Sequence, residues 1–482
     1  MNKKETKISK EIKVNKKLAR RNYSNQTGIT LIALVITIVV LLILAGVSIN
    51  ALFSDNGIIE RAKNAQNKFD EAEKKDLEEI NKLNNWLDGK INGSSGGDTT
   101  GGNDTPTEKP LITDSSLTSN DRTNSESTTV IAKDKKGNQV VVPGRFKISG
   151  DSGESVEQGI VIEDKEGNQF VWVPVSNING DGSNKIVKDD GSKIEITLGR
   201  YSFKREKNAT TNLYEDGTPT LIQKGSEYAE TTIAKATAGT LDTKYRVGSY
   251  YYELSYYYEL SDYRVSNEKT DSTGTNTTAK NLKDFIEKTN TNKGFYIARY
   301  EASYGSGYNS SGTDTATKFA NAKPLSKVST ANSKSSMNYN KGTLWNFITQ
   351  PQAALVSQNM YKNDSYVESD LINSYAWDTA IVYIQAMGNS NYANANRDTT
   401  GNTDLKDTGS TGDQKCKIFD MAGNTIEWTT EYGTSANSSN AYRCTNRGGN
   451  YRYSDWYTSV RSSYGATNSV GFISFRPLLY VK

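Results

Sequence analysis

The chain has 482 residues, with 58 Lys and Arg against 55 Asp and Glu, two Cys and no His. Without an imidazole, Ser-His-Asp and Cys-His catalysis, His-ligated zinc or haem, and a histidine pH switch are excluded, and two Cys cannot build a four-thiolate metal site. A net charge of +3, with aromatics at 10% and 29 of them Tyr, argues against a nucleic-acid partner, which a basic domain would announce.

Charge is unevenly spread. Residues 1–28 carry nine Lys and Arg and two Glu, a net +7, which leaves the rest of the chain at −4. An uncharged run follows from Asn22 to Ser54, with an apolar heart from Ile29 to Val47. At about 1.5 Å per residue that heart matches a bilayer core of about 30 Å. It is apolar on every face, unlike a surface helix. The flanking cations place the leader in the cytoplasm and the remainder outside, as in a single-pass cell-membrane protein.

The run begins Gly28-Ile29-Thr30-Leu31-Ile32 directly after the basic leader, with no small-residue cleavage site behind the apolar stretch. This resembles the signal of type IV prepilins and pseudopilins. The resemblance implies peptidase cleavage after Gly28 and a processed N-terminus at Ile29. Ile29 stands where the family has Phe. Ala33 stands at the fifth mature position, where the family has the Glu that neutralises a neighbour's amino terminus. A minor or tip subunit, or a membrane-anchored display protein, fits this departure better than a major pilin.

Beyond a break at Asn56-Gly57, Ile58, Ala62, Ala65, Phe69, Ala72, Leu77, Ile80, Leu83 and Leu87 recur at helical spacing. The spacing predicts a stalk helix to residue 88, packed on other pilin-like helices or on its own domain. Residues 89–130, Gly/Ser/Thr/Asn-rich, read as a flexible linker.

The outer region opens at 131–175 with a local repeat, AKDKKGNQVVVP (132–143) and IEDKEGNQFVWVP (162–174), which predicts two hairpins turning at Gly-Asn. Residues 176–293 form a polar, Tyr-rich insertion with an exact tandem duplication, YYYELS at 250–255 and 256–261. Two copies are too few for a solenoid. They read as a slipped duplication in a surface hairpin or as a sticky tyrosine face. Helical patterns are predicted in WNFITQPQAALVSQNMY (345–361) and LINSYAWDTAIVYIQ (371–385).

Several segments, in order, resemble the formylglycine-generating-enzyme-like branch of the C-type-lectin fold. They are Phe170-Val171-Trp172-Val173-Pro174, Phe295-Tyr296-Ile297 before Arg299-Tyr300-Glu301, and Leu371 to Asp378. Gly423-Asn424-Thr425-Ile426-Glu427-Trp428-Thr429, Arg447-Gly448-Gly449 and Ser474-Phe475-Arg476 complete the series. The resemblance covers about 158–175 and 294–482. It implies an irregular lectin-type domain at 294–482, and with the long N-terminal pilin-type transmembrane helix and the flexible linker read above, the fold class expected is α+β. In the enzymes of that family two Cys just after the Gly-Gly hold copper. Residues 448–465 contain no Cys, so no catalytic residue is expected. Cys416 and Cys444, in an exported chain, are expected to form one disulfide rather than stand as two thiols, worth roughly 3–4 kcal/mol. The family also binds calcium beside the Glu-Trp segment. The matching positions are Asp420, Gly423, Thr425 and Glu427, which otherwise read as a turn whose acids cap backbone amides.

After Arg447-Gly448-Gly449 comes a Tyr/Ser/Asn-rich stretch. Asn450, Tyr451, Arg452, Tyr453, Ser454, Asp455, Trp456, Tyr457, Ser459, Tyr464 and Asn468 are the candidate ligand-binding residues. Tyr gives large contact area at low entropy cost, and small polar residues adapt to a partner. The stretch resembles the variable region of lectin-fold proteins diversified by retroelements, which bind other proteins from this place. The expected function is a pilin-type, membrane-anchored, surface-displayed protein that binds an unknown protein or glycan ligand. A purely structural pilus or secretion-apparatus subunit, and a degenerate formylglycine-type oxidase, stand as alternatives. No cofactor is expected beyond the calcium.

Overall fold

In the computed structural model the chain divides into two units, Met1–Asp104 and Thr105–Lys482. The structure describes residues 124–125, 127–210, 214–228, 247–248, 255–259, 281–435 and 443–482, all in the second unit. The predicted leader with its processing site at Gly28 and Ile29, the apolar run, the stalk, most of the linker and the first YYYELS copy save Ser255 lie outside the described residues. Among the described residues no helix is long and apolar enough to cross a membrane.

Both predicted hairpins form, and the repeat explains why. Val130–Lys133 pairs with Gln139–Val142, and Val161–Asp164 pairs with Gln169–Pro174. In the first turn Asp134 Oδ1 accepts the amides of Lys136 and Asn138 at 2.9 and 2.8 Å, and Oδ2 accepts Asn138 Nδ2 at 2.9 Å. In the second, Asp164 does the same for Glu166, Asn168 and Asn168 Nδ2 at 2.9, 2.9 and 2.8 Å. The shared Asp-Lys-x-Gly-Asn thus encodes one turn, closed by an aspartate that gathers the local donors.

The second hairpin belongs to a six-stranded antiparallel sheet in the order Val367–Leu371, Pro477–Val481, Gly294–Ala298, Gln169–Pro174, Val161–Asp164, Phe146–Ile148. The two motif strands lie side by side with Tyr296 opposite Trp172. The Leu282–Asn292 helix, capped by Asn281, packs Phe285 edge-on to Phe295 and Tyr480 at 5.4 and 5.6 Å.

A second sheet runs Val247–Gly248, Ser255–Tyr258, Ile426–Ser435, Arg443–Arg447, Arg461–Tyr464, with Ile473–Phe475 parallel to Ile426–Ser435. The second YYYELS copy lies in the inner strand of a hairpin, Val247–Gly248 with Ser255–Tyr258, rather than at a free edge of the sheet. Tyr256–Tyr258 pair with the Glu-Trp strand, and Tyr257 and Glu259 are fully buried. The chain passes from the second sheet to the first through Arg476, between Ile473–Phe475 and Pro477–Val481.

The 345–361 pattern becomes a helix only over Gln350–Met360, started by a reciprocal cap between Thr349 and Gln352. Trp345 and Ile348 precede it as buried loop anchors. In the 371–385 pattern Leu371 ends a strand and Asn373 caps the Ser374–Ala386 helix. That helix is buried on all sides from Ser374 to Gln385, hence its nearly uniform apolarity. Strands outnumber helices throughout, in an α+β arrangement with long irregular segments.

Candidate functional site

Two buried ionic clusters hold the C-terminal loops in place. In the first, Arg476 donates through Nε and Nη2 to Glu427 at 3.0 and 2.6 Å and to the carbonyls of Ala298 and Phe419 at 2.8 and 2.7 Å. Glu301, from the Arg-Tyr-Glu motif, accepts the amide of Thr425 at 2.8 Å, with Asn424 Nδ2 and Thr425 Oγ1. Asp420 accepts Thr408 Oγ1 at 2.6 Å, the amide of Gly409 at 3.1 Å and Thr411 Oγ1. Asp413 accepts the amide of Ala422 and Tyr392 Oη at 2.6 and 2.9 Å. Burial raises the carboxyls of Glu301, Asp413 and Asp420 above their ordinary values, Asp413 to about 7, and their mutual repulsion adds to this.

The second cluster joins the insertion to the Arg-Gly-Gly segment. Arg447 Nη2 meets Asp378 Oδ1 at 2.6 Å, and Arg461 pairs with Asp378 and, at 3.1 Å, with Glu431. Arg200 pairs with Glu431 and donates to Ser374 Oγ and to the carbonyl of Tyr257, both at 2.9 Å. Burial alone would raise Glu431, but Arg461, Arg200 and Arg447 outweigh it and hold it below the usual carboxylate range. Glu259 accepts the amide and hydroxyl of Ser374 at 2.9 and 3.0 Å and Thr430 Oγ1 at 2.7 Å.

Next come the two glycines. A Cβ on Gly449 would lie 2.1 Å from the Ala422 carbonyl. Gly448 has φ +94, and a Cβ there would lie 2.7 Å from the Met421 carbonyl. Only glycine lets the chain lie this close against the Glu-Trp segment as it enters the loops.

Within the loops Asn450 is buried and its Oδ1 accepts the amides of Arg452 and Tyr453 at 2.8 and 3.0 Å. Arg397 Nη1 holds the carbonyls of Tyr451 and Arg452, both at 2.8 Å, and Asn396 Nδ2 holds that of Ser454. The amides of Thr458 and Ser459 bond to the carbonyls of Ala395 and Ala393, both at 3.0 Å. On this frame Tyr453 and Trp456 stack at 5.5 Å and 26° between planes. Phe472 stands edge-on to Tyr453 at 5.9 Å, and the exposed Arg452 guanidinium lies 5.3 Å from the Tyr453 ring and 5.5 Å from that of Phe472. Half-buried Tyr464 reaches Phe472 at 6.4 Å. Half-buried Tyr451 lies under Lys334 at 5.4 Å.

The structure therefore brings Tyr451, Arg452, Tyr453, Trp456 and Tyr464 into one aromatic platform edged by exposed Ser454 and Asp455. It separates out the others. Asn450 is an internal turn anchor, and Ser459 is tied by its backbone. Tyr457 is buried with Arg205 at 4.2 Å over its ring, and it lines a cavity of about 370 Å³ with Asn394, Asn396 and Thr399. Asn468 is exposed in a turn onto Gly465. Phe472 and Lys334 were not among the sequence candidates. Phe472 reads as the start of a core strand, and Lys334 lies over 110 residues upstream in a polar stretch with no pattern to single it out.

The implied calcium ligands do not fit a cation. Both oxygens of Glu427 are held by Arg476, and both oxygens of Asp420 accept protein donors, so the two acids of the set are already occupied. The guanidinium of Arg476 stands beside Glu427 where a cation would. Among the described residues no group of three or more Cys, Asp and Glu gathers as metal ligands.

The expected disulfide between Cys416 and Cys444 is corrected: the two thiols are not joined. Cys416 packs against the core around the first sheet, beside Tyr383, whereas Cys444 lies in the separate core beneath the second, between Tyr432 and Tyr464. Burial pushes the Cys416 thiol up to about 12, so it is protonated and a poor nucleophile at neutral pH.

No protein-family model matches the sequence, and no curated protein matches it. Among solved structures the chain is similar to that titled "Crystal Structure of CarF", at 13% identity and a TM-score of 0.29, over 39% of this chain and 87% of the other. It is also similar to PvdO from Pseudomonas aeruginosa, at 11% identity and TM-score 0.25, over 47% and 94%. A third is Treponema denticola variable protein 1, at 11% identity and TM-score 0.23, over 38% and 95%.

Proposed function

We propose that this is a surface-displayed binding protein with a formylglycine-generating-enzyme-like lectin-fold domain, which recognises a protein or glycan ligand through its C-terminal loops and performs no chemistry. The observation that carries the reading is the platform of Arg452, Tyr453 and Trp456, seated on the buried ring of Phe472. Rigid aromatic area, one exposed guanidinium and small polar residues at the rim are set on a backbone fixed by Asn396, Arg397 and Asn450. Rigid aromatics and arginine of this kind dominate binding energy at interfaces. Display at the cell membrane, with a pilin-type N-terminus able to assemble with similar helices, belongs to the same reading and rests on the basic leader, the apolar run and the Gly28-Ile29 junction.

The test places the full-length chain and its Arg452→Ala, Tyr453→Ala, Trp456→Ala triple variant on a glycan array and over immobilised bacterial and host surface proteins. The variant is expected to lose about 30-fold or more in affinity for whatever the native chain retains, since central hot-spot residues cost about 2 kcal/mol or more each. Equal retention by both proteins would place the binding surface elsewhere.

A further inference from the structure

A cavity of about 690 Å³ shares no lining residue with the C-terminal loops. This lies within the usual range for ligand sites, roughly 300–1,000 Å³. The Asp164–Asn168 turn, the hairpin of Ser303–Ser306 with Lys323–Leu325, and the end of the Gln350–Met360 helix form its walls.

Its charge is distinctive. Lys165, Lys323, Lys341 and Lys362 line it, all exposed, and none has an ion-pair partner among the described residues. Arg145 is matched by Asp364 at 3.5 Å. Asp364 also accepts the amides of Tyr366 and Val367 at 2.8 and 3.2 Å, and Asp164 is consumed by its own turn and by Tyr361 Oη at 2.7 Å. Glu166 is the remaining acid on the wall. A surplus of cations thus sits in a concave site on a body whose residues beyond the leader sum to −4. Such a site concentrates anions.

The lining also narrows the class of anion. Phe146 is buried, and half-buried Tyr361 tilts against Phe146 and Phe170 at 5.5 and 5.9 Å, so these rings pack on one another rather than stand out as the row of stacking platforms that single-stranded nucleic acids use. Met360 and Leu325 line it from largely buried positions, so the apolar surface they offer is small for a lipid chain. What is offered is lysine charge together with Ser306, Asn321 and Asn363, groups suited to spaced acidic groups and hydroxyls. We propose that this cleft binds an acidic polysaccharide, independently of the C-terminal platform.

The test is acetylation footprinting of the full-length chain by mass spectrometry. The probes are polygalacturonate, dextran sulfate, neutral dextran and poly(dT). Residue-resolved reactivity keeps the basic leader, which also attracts polyanions, out of the readout. Lys165, Lys323, Lys341 and Lys362 are expected to react several-fold more slowly with polygalacturonate or dextran sulfate, and the stronger of the two identifies the acid group. Neutral dextran is expected to protect none of them. In the Lys323→Gln, Lys341→Gln variant the half-protection concentration read at Lys165 and Lys362 should rise about tenfold. Unchanged reactivity in the presence of either acidic polymer, equal protection by poly(dT), or an unshifted midpoint in the variant would overturn the proposal.

Discussion

At the scale of single residues, buried acids set how this domain responds to pH. Asp413 is fully buried, and burial outweighs the amide of Ala422 and the hydroxyl of Tyr392 to raise its carboxyl to about 7. Glu259 is raised to about 7 for the same reason, and Glu301 and Asp420 are raised in the same sense. Because the folded values exceed the unfolded ones, the native state binds more protons between pH about 4 and about 7. Stability from these groups is complete below the unfolded value and is lost as pH rises through the folded one. The melting midpoint of the full-length chain is therefore expected to fall from pH 5 to pH 8. In Asp413→Asn, whose amide keeps an acceptor for Ala422 and brings no charge, that fall should be smaller, the unfolding free energy lost across the window shrinking by an amount on the order of 1–3 kcal/mol. Scanning calorimetry across this window decides, and a midpoint that rises with pH, or a variant with the native slope, would refute the assignment. Asp413, Glu301 and Glu259 were not legible as core residues in the sequence. An acid whose partners are hydrogen-bond donors distant in the chain has the same hydropathy as one in water, and only the topology reveals the difference.

At the scale of elements, legibility followed locality. The two hairpins were readable because Asp134 and Asp164 each close their own turn within four residues, and the Trp172 and Tyr296 strands because both are continuously apolar. The insertion was not readable. Its contribution is Arg200 and Glu259, whose partners Glu431, Ser374 and Thr430 lie over 100 residues away. The platform was half legible: composition marked Tyr453 and Trp456, and the apolar strand at Phe472 read correctly as core, but Tyr457, as buried as Phe472, looked like platform. The buried network also predicts where the elements are weakest. Arg461 lies on the strand next to Arg443–Arg447 and joins Asp378 on a helix to Glu431 on the central strand, all without solvent. Arg461→Met leaves two buried acids undercompensated and is expected to cost about 3–5 kcal/mol. Arg461→Lys should recover little of this, since a single ammonium cannot span both carboxylates. Lys147→Ala removes a pair with Glu163 at 2.9 Å whose side chains keep 30% and 19% of their exposure, and should cost less than about 1 kcal/mol. Urea midpoints for the three variants test this ranking, and a small effect of Arg461→Met would show that the network does not bind the elements together.

At the scale of the whole molecule, the proposed display rests on the charge asymmetry. A +7 segment followed by an uncharged run is a pattern from which a membrane would set orientation by the side on which the cations stay. The −4 body that follows carries both the platform and the lysine-lined cleft. If the chain follows the pilin route, the leader is removed at the cytoplasmic face and the new amine belongs to Ile29, which the prepilin peptidase methylates in that family. Because Ala33 stands where the family's charge-neutralising Glu is expected, that amine has no carboxylate on the fifth residue of a neighbouring helix to meet. Processing is then expected without efficient growth of a homopolymer. Intact-mass and N-terminal peptide mass spectrometry of the protein from its native membrane tests both steps. A mature N-terminus at N-methylated Ile29 is the expected result, together with recovery in the membrane fraction rather than in sheared filaments. Ala33→Glu is expected to shift material toward filaments. An intact Met1 with the protein still in the membrane would reduce the segment to a plain anchor, and the platform would then be displayed one molecule at a time.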